Sequence, residues 1–200
     1  MEERRAAVGK REDRRVRRTR ALLEQGLVQL LEKKPIREIT VRELTNLIDI
    51  NRGTFYLYYR DIYDMVEKIE EEYYRRLVEM LDAAREEKED KRIRNGLQDF
   101  FVFIRENKDL CRVFLGENGD EAFLQKILLL IKEKCREQWP KTLNISDEEF
   151  EYRYSFAASG ILGIVRYWLS ADCDQPAEKV ALLAERCIMR GIIPHLKKEA

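Results

Sequence analysis

Residues 40–61 read TVRELTNLIDINRGTFYLYYRD, and this stretch decides the fold of the N-terminal part of the chain. Thr40 and Glu43 stand three residues apart, which is the spacing of a capping box at the start of a helix. Along that helix, one apolar face is expected to carry Val41, Leu44, Leu47 and Ile48. Asn51 is a favoured N-cap for a second short helix, and Asp49 lies in the break between the two. Two short helices joined by a turn of about three residues are typical of a helix-turn-helix.

The second short helix, expected over residues 52–59, carries four aromatic residues within five positions. Phe55 and Tyr59 stand four residues apart, so we expect them to share the side that faces the core. Tyr56 and Tyr58 then project elsewhere. The four rings are therefore too many for one buried side, and some of them should face a partner.

That partner could be DNA, because the second helix of a helix-turn-helix lies in the major groove. The hydroxyls of Tyr56 and Tyr58 can each donate a hydrogen bond to a phosphate oxygen. Arginine can pair with guanine, and threonine or leucine can contact a thymine methyl group. The residues placed to meet base edges are Asn51, Arg52, Thr54 and Leu57. The alternative is that both tyrosines pack against neighbouring helices.

The charge of the chain is unevenly divided although the net charge is zero. Residues 1–60 hold 15 Lys and Arg against 9 Asp and Glu, and residues 61–200 hold 23 against 29. The first 20 residues alone hold nine basic and four acidic side chains. This asymmetry favours an N-terminal part that meets a polyanion. A basic tail that is simply solvated is the alternative.

Helical periodicity continues along the whole chain, and we predict an all-α fold of about nine helices. Apolar residues recur at helical spacing in a first helix that should end near Lys34, before Pro35. Asp61 is expected to cap a long fourth helix. Ser146 and Glu149 form a second capping box before another long helix, whose apolar row is Phe150, Tyr154, Ala157, Ile161, Val165 and Trp168.

The sequence favours no metal, cofactor or membrane span, and we expect a cytoplasmic protein. The four cysteines are Cys111, Cys135, Cys173 and Cys187. They are widely spaced and the sequence contains one histidine, so a metal site or a disulfide framework is not expected. We expect buried free thiols, with redox sensing as the alternative. The carboxylates lie mostly in solvated helical runs, without a nucleophile elbow or a phosphate-binding glycine loop. An enzyme is therefore not expected.

Residues 40–65, TVRELTNLIDINRGTFYLYYRDIYDM, resemble the DNA-binding segment of the TetR family of bacterial transcriptional regulators, and the likeness extends over roughly residues 12–66. The resemblance implies a homodimer that binds a palindromic operator, with a C-terminal domain that holds a small-molecule cavity and the dimer interface. We accordingly expect a basic arm over residues 1–11, a three-helix DNA-binding domain over residues 12–60 and a regulatory domain over residues 61–200. By the same resemblance, Thr40 touches phosphate and Asn51 to Thr54, including Gly53, face the bases with Leu57.

The chain departs from the family pattern at three places. Ile48 and Asp49 replace the usual Ala-Gly of the turn, where Asp tolerates a left-handed conformation less freely than Gly. Ile62 stands where lysine is frequent, and Arg60 with the exposed amides of that helix start could take over its phosphate contact. Tyr58 stands where histidine is common.

Residues 156–169, FAASGILGIVRYWL, resemble the C-terminal domain of a TetR branch related to dihydroxyacetone kinase regulators. That resemblance places dimerisation on the last two helices, where small residues allow close approach. The expected interface residues are Phe156, Gly160, Gly163, Tyr167, Leu183 and Cys187. Packing inside one chain is the alternative for the two glycines.

Aromatic residues between the two ends of the C-terminal part are candidates for a ligand pocket, although a core stripe is the alternative. They are Phe100, Phe103, Phe114, Phe123 and Trp139. We predict a repressor that binds DNA as a homodimer and is released by a small molecule. The alternatives are an activator of the same fold and a helical protein-interaction module.

Overall fold

The structure is a computed structural model that describes residues 2–85, 89–115, 121–137 and 144–190. Within these ranges the chain forms nine α-helices and a 3-10 turn at Ile36–Glu38, without a strand, which confirms the all-α prediction. The helices are α1 Glu2–Leu31, α2 Val41–Leu47, α3 Arg52–Tyr56, α4 Ile62–Arg85, α5 Glu89–Glu106, α6 Lys108–Leu115, α7 Glu121–Arg136, α8 Asp147–Ser170 and α9 Ala177–Arg190. No helix in the described ranges is long and apolar enough to cross a membrane.

The chain divides into two compact units, Met1–Glu71 and Glu72–Ala200, here called the N-terminal and C-terminal units. The first helix begins at Glu2, about ten residues earlier than the sequence predicts, and so includes most of the expected basic arm. Residues 2–11 are rich in Glu, Arg and Ala, which are good helix formers, so this extension is consistent with local propensity.

The core of the N-terminal unit is built where α1 and α2 meet, with Leu23, Leu27 and Leu44 fully buried. Leu47 was expected on the same apolar face as Leu44, but its side chain is 43% exposed. Packing covers the side of α2 that carries Leu44 and Thr45, and Leu47 lies about 160° around the helix from Thr45. The prediction for Leu47 is therefore wrong.

The core of the C-terminal unit joins α5, α6, α8 and α9. Phe101 and Trp168 meet edge to face with ring centroids 5.6 Å apart. The indole N–H of Trp168 donates to the carbonyl oxygen of Gln175 at 3.0 Å, which ties α8 to the loop before α9. The predicted apolar row of α8 is confirmed, because five of its six residues are buried and Ile161 is half-buried.

The N-terminus of α8 is capped as predicted. The Glu149 amide donates to Ser146 Oγ at 3.1 Å. The Glu149 carboxylate accepts hydrogen bonds from Arg153 one turn later, at 2.6 and 2.8 Å. Asp61 is likewise confirmed as a cap, since the Asp64 amide donates to its carboxylate at 2.8 Å.

Candidate nucleic-acid interface and ligand cavity

The start of α2 is fixed by the capping threonine. The Glu43 amide donates to Thr40 Oγ1 at 3.2 Å, as the capping-box pattern predicts. The Glu43 carboxylate instead accepts from Lys34 Nζ at 2.5 Å, which ties α2 to the turn that follows α1. Thr40 itself is exposed, so its hydroxyl lies at the surface beside the positive end of α2.

The turn between α2 and α3 contains a left-handed residue. Asp49 has φ of 53°, the conformation for which the family pattern places glycine. The Ile50 amide closes the turn by donating to the Thr45 carbonyl at 3.0 Å. Thr45 is buried, and its hydroxyl donates back to Val41 O at 2.9 Å.

The helix α3 is shorter than expected, because it ends at Tyr56 instead of Tyr59. Asn51 caps it, with Oδ1 accepting from the Gly53 amide at 2.7 Å. Beyond Tyr56 the chain continues as a turn, since the Tyr58 and Tyr59 amides both donate to the carbonyl oxygen of Phe55.

The aromatic residues of this segment divide between two sides. Phe55 is fully buried and Tyr59 nearly so, with ring centroids 5.6 Å apart, which confirms their assignment to the core. Tyr56 is 57% exposed and Leu57 is 77% exposed. An exposed tyrosine at the last position of α3, followed directly by an exposed leucine, forms a ridge that can enter a groove.

Tyr58 is held more closely than Tyr56. Its ring is half-buried, and the Arg20 guanidinium of α1 lies 5.7 Å from the ring centroid. Its backbone carbonyl accepts from Lys68 Nζ at 3.0 Å. The two tyrosines that the sequence treats alike are therefore placed differently.

The expected base-facing residues run from Asn51, which caps the start of α3, to Leu57, which follows its last residue. Thr54 is half-buried, whereas the exposed members of the set are Asn51, Arg52, Gly53 and Leu57. On α1 a run of exposed arginines adds positive charge to the same unit; these are Arg14, Arg15, Arg17, Arg18 and Arg20. This unit therefore exposes basic side chains, which suits it to meet a polyanion.

Asp64 on α4 connects the segment after α3 to that helix, and sequence reasoning did not identify it. Its carboxylate accepts from the Arg60 amide at 2.9 Å, from Arg60 Nε at 2.8 Å and from Lys68 Nζ at 3.0 Å. The side chain of Asp64 is 4% exposed, while those of Arg60 and Lys68 reach solvent. Arg60, expected to contact phosphate, is thus already paired with a carboxylate.

These hydrogen bonds hold the pKa of the Asp64 carboxyl at about 2, first through the Arg60 amide and then through Lys68 and the Arg60 guanidinium. The sequence did carry a signal for this cluster. Arg60, Asp64 and Lys68 follow one another at four-residue spacing, which brings opposite charges together on a helix surface.

The C-terminal unit contains an apolar cavity of about 280 Å³. Four of the five predicted pocket residues line it, namely Phe100, Phe103, Phe114 and Phe123. Trp139 lies outside the described residues. Further wall residues from α4, α7 and α8 include Leu77, Ile127 and Ile161.

The exposed side of α8 is also largely apolar. Tyr152, Phe156, Gly160, Gly163 and Tyr167 recur every three or four residues, so they share one face of the helix. Tyr152, Phe156 and Tyr167 are 60–76% exposed, and a Cβ added at either glycine would meet no described atom within 4 Å. The two glycines therefore do not serve close packing among the described residues of one chain. Of the other expected interface residues, Leu183 on α9 is exposed and Cys187 is half-buried.

Comparison with known proteins identifies the family of the chain and structures with a similar fold. The TetR-type family model described as "transcriptional regulator C-terminal region" matches residues 91–190, which is half of the chain. The HTH-type transcriptional regulator YxbF of Bacillus subtilis, itself uncharacterized, is 22% identical over 169 residues. That match covers 80% of this chain and 42% of the relative, so the chain spans less than half of the relative's length.

Solved structures share the fold. The fatty acid degradation regulator FadR from Bacillus halodurans superposes with a TM-score of 0.68 at 16% identity, covering 86% of this chain and 95% of the other. FadR from Bacillus subtilis, solved in complex with stearoyl-CoA, gives 0.65 at 14% identity over 86% and 99%. The dihydroxyacetone kinase operon activator DhaS gives 0.54 at 16% identity over 85% and 93%.

Proposed function

Because this chain belongs to the TetR family of transcriptional regulators, we propose that it is a repressor that binds a palindromic operator as a homodimer and releases it when a small molecule occupies the cavity. The proposal assigns the DNA-binding domain to residues 12–60 and the regulatory domain to residues 61–200.

The observation that carries the proposal is the two-sided placement of the residues in and after α3. Phe55 and Tyr59 are buried while Tyr56 and Leu57 are exposed. The buried rings therefore anchor this segment to the N-terminal unit, and the exposed side chains face solvent, where a partner can bind. In a helix-turn-helix that exposed side enters the major groove. Arg52 and Leu57 would then read base edges, and Tyr56 would donate its hydroxyl to a phosphate oxygen.

Further contacts to the phosphate backbone are assigned to residues flanking α3. Thr40 is exposed at the N-terminus of α2, where its hydroxyl and the helix dipole favour an anion. Arg60 has a largely exposed guanidinium that, although paired with Asp64, retains further N–H donors. Tyr58 has the smallest exposed area of the three aromatic or aliphatic residues assigned to DNA, so its contribution should be the weakest.

Dimerisation is assigned to the exposed face of α8 together with α9. An apolar face containing two open glycines lets a second helix approach closely, and burying it would remove two tyrosines and a phenylalanine from water. Two copies related by a two-fold axis would each present one α3 segment, and a palindromic DNA site has the same symmetry.

The effector is assigned to the apolar cavity of the C-terminal unit. Its volume lies near the lower end of the range of about 300–1,000 Å³ found for small-molecule sites, which favours one slender molecule. For the effector to release DNA, it must bind the DNA-free protein more tightly than the DNA-bound protein. By thermodynamic linkage, bound DNA must then weaken effector binding by the same factor.

A gel-shift experiment on the intergenic DNA beside the gene for this protein tests the proposal. We expect a saturable shift that weakens steeply as salt is raised, because phosphate contacts release counterions. Arg52→Ala should lose the preference for this DNA over random competitor, while Lys126→Ala in the C-terminal unit is the matched control and should retain it. A shift equally strong on random DNA would contradict operator recognition.

A reporter driven by the same DNA determines the sign of regulation. Deleting the gene for this protein should raise reporter expression if the protein represses. A fall in expression would instead indicate an activator that uses the same DNA-binding residues.

A further inference from the structure

The wall of the cavity is uneven in polarity, and this unevenness limits what can fill it. The inference rests on the proposal that this cavity is the effector site. Among the described residues that line it, Lys134 on α7 is the one with a charged side chain. All but a few of the others are aliphatic or aromatic.

The hydroxyl groups of the wall are already engaged within the protein. Tyr73 donates to Asn107 Oδ1 at 2.8 Å, and Tyr154 donates to the carbonyl oxygen of Leu128 at 2.6 Å. Burial raises the pKa of the Cys111 and Cys135 thiols to about 12, so both stay neutral near pH 7. A ligand body that needs hydrogen bonds would lose its water partners here and gain few in return, so the interior selects an apolar body.

Lys134 differs from the rest of the wall. Its side chain is 21% exposed and lines the cavity, while its ammonium group reaches Asp82 Oδ1 on α4 at 2.5 Å. Asp82 is 49% exposed and is not among the lining residues. The ion pair therefore has a more enclosed cation and a more hydrated anion.

This asymmetry favours exchange of the anion. A ligand anion entering beside Lys134 can take the place of Asp82, and the displaced carboxylate can regain water because half of it is already exposed. A cationic ligand would meet the ammonium group directly and be repelled. A neutral ligand could fill the cavity but would leave the ion pair as it is.

We propose that the effector is a single-chain anionic amphiphile, whose apolar chain fills the cavity and whose carboxylate or phosphate accepts hydrogen bonds from Lys134 Nζ in place of Asp82. The neutral part of the ligand supplies hydrophobic burial, and the head group supplies selectivity at one end of the site.

Isothermal titration of the full-length protein without DNA tests this, using dodecanoate, dodecyl phosphate, dodecan-1-ol and dodecyltrimethylammonium below their micelle concentrations. We expect at least one of the two anions to bind about tenfold more tightly than the alcohol, and the cation to bind weakest. The stronger anion then identifies the head group as carboxylate or phosphate.

Three variants assign the selectivity to residues. Lys134→Met keeps a long apolar side chain and should reduce anion affinity to that of the alcohol, whose own affinity stays within about twofold. Asp82→Asn removes the competing carboxylate and should strengthen anion binding severalfold. Lys126→Met, on the exposed side of the same helix, is the matched control and should bind all four probes like the wild type.

The inference is overturned if the wild type binds alcohol and anions equally, if it binds none of the four, or if Lys134→Met keeps the preference for anions. These titration results do not test DNA binding, because the gel shift is measured in the absence of any amphiphile. The proposed function and this inference can therefore fail independently. A protein that binds DNA but not these probes would retain its regulatory role and lose this ligand class.

Discussion

A Cβ atom added to Gly26 on α1 would lie 2.6 Å from Cγ2 of Ile48, so the glycine and the isoleucine fit each other at the contact between α1 and α2. Cδ1 of Leu44 would lie 2.8 Å from the same added atom. Ile48 is one of the residues that depart from the family pattern, where alanine is usual. The absence of a side chain at position 26 provides the space that the larger residue occupies.

Gly26→Ala should therefore destabilise the N-terminal unit in the wild-type background. Overpacking costs about 1–3 kcal/mol, whereas replacing a helical glycine by alanine returns about 1 kcal/mol. In an Ile48→Ala background the contact with Ile48 is removed and only the Leu44 side chain still has to shift, so the same change should cost less than in the wild type. Hydrogen exchange of peptides from α1 and α2 measures both free energies of opening. Equal effects in the two backgrounds would show that the two residues are not coupled.

Asp49→Gly should stabilise the N-terminal unit, since Asp49 adopts φ of 53° and glycine reaches that region without a steric penalty. The expected gain is about 0.5–1 kcal/mol, and Asp49→Ala should cost about 1 kcal/mol. Asn46→Gly, inside the neighbouring helix α2, is the control and should destabilise by up to about 1 kcal/mol. The same hydrogen-exchange experiment measures the free energy of opening for all three variants. A destabilising effect of Asp49→Gly would contradict strain at this turn.

Replacing Asp64 by asparagine should reduce stability in a pH-dependent way. The pKa of Asp64 in the folded protein is about 2, below its ordinary value, so its ionised form is favoured by folding. The resulting stabilisation is complete above about pH 4, where an unfolded aspartate is ionised, and is lost as the pH falls towards 2. The difference between wild type and Asp64→Asn should thus be largest near pH 7 and should shrink below pH 4.

Urea denaturation followed by circular dichroism at pH 7, 5 and 3 checks this expectation. Glu67→Gln on the same helix is the control, because Glu67 is exposed, and its effect should be small at every pH. A constant difference for Asp64→Asn across the series would argue against a charge-dependent role for Asp64.

Tyr56→Phe should weaken binding to all DNA sequences about equally, by about 1 kcal/mol or roughly fivefold in Kd, because only a hydroxyl-to-phosphate bond is removed. Tyr58→Phe should have a smaller effect, since that ring is half-buried against Arg20. Fluorescence anisotropy with a labelled duplex provides the affinities, and Tyr74→Phe in the C-terminal unit is the control. If the folded Tyr56→Phe protein binds DNA with unchanged affinity, the Tyr56 hydroxyl does not contact phosphate and the ring has only a packing role.

Tyr167→Glu should convert a dimer into a monomer without unfolding it. The side chain is 76% exposed in one chain, so a carboxylate there is tolerated by the monomer but would be buried in a helix-to-helix interface. Sedimentation equilibrium measures the mass, and Ser155→Glu, exposed on another side of α8, is the control. A wild-type monomer, or a Tyr167→Glu dimer as tight as the wild type, would place the interface elsewhere.

The features that the sequence predicted correctly are mostly local. Thr40, Asn51, Asp61 and Ser146 each cap a helix as expected, because a cap is formed between residues two or three apart along the chain. The burial of Phe55 and Tyr59 follows from the helical period in the same way. The partner of the Glu43 carboxylate was not predictable locally, because Lys34 lies nine residues away along the chain, whereas Arg153 follows Glu149 at four-residue spacing.

The sequence by itself determined the all-helical fold, the starts of the four capped helices and the family resemblance, since these depend on short-range spacing and composition. Only the tertiary structure decided that Leu47 and Tyr58 depart from the expected burial, that Gly26 provides room for Ile48, and that Lys134 contributes a charge to an otherwise apolar cavity. Each of these depends on which helices are neighbours in space. Packing between residues far apart in the chain decides which helices become neighbours, and the periodicity of a single helix carries no information about this.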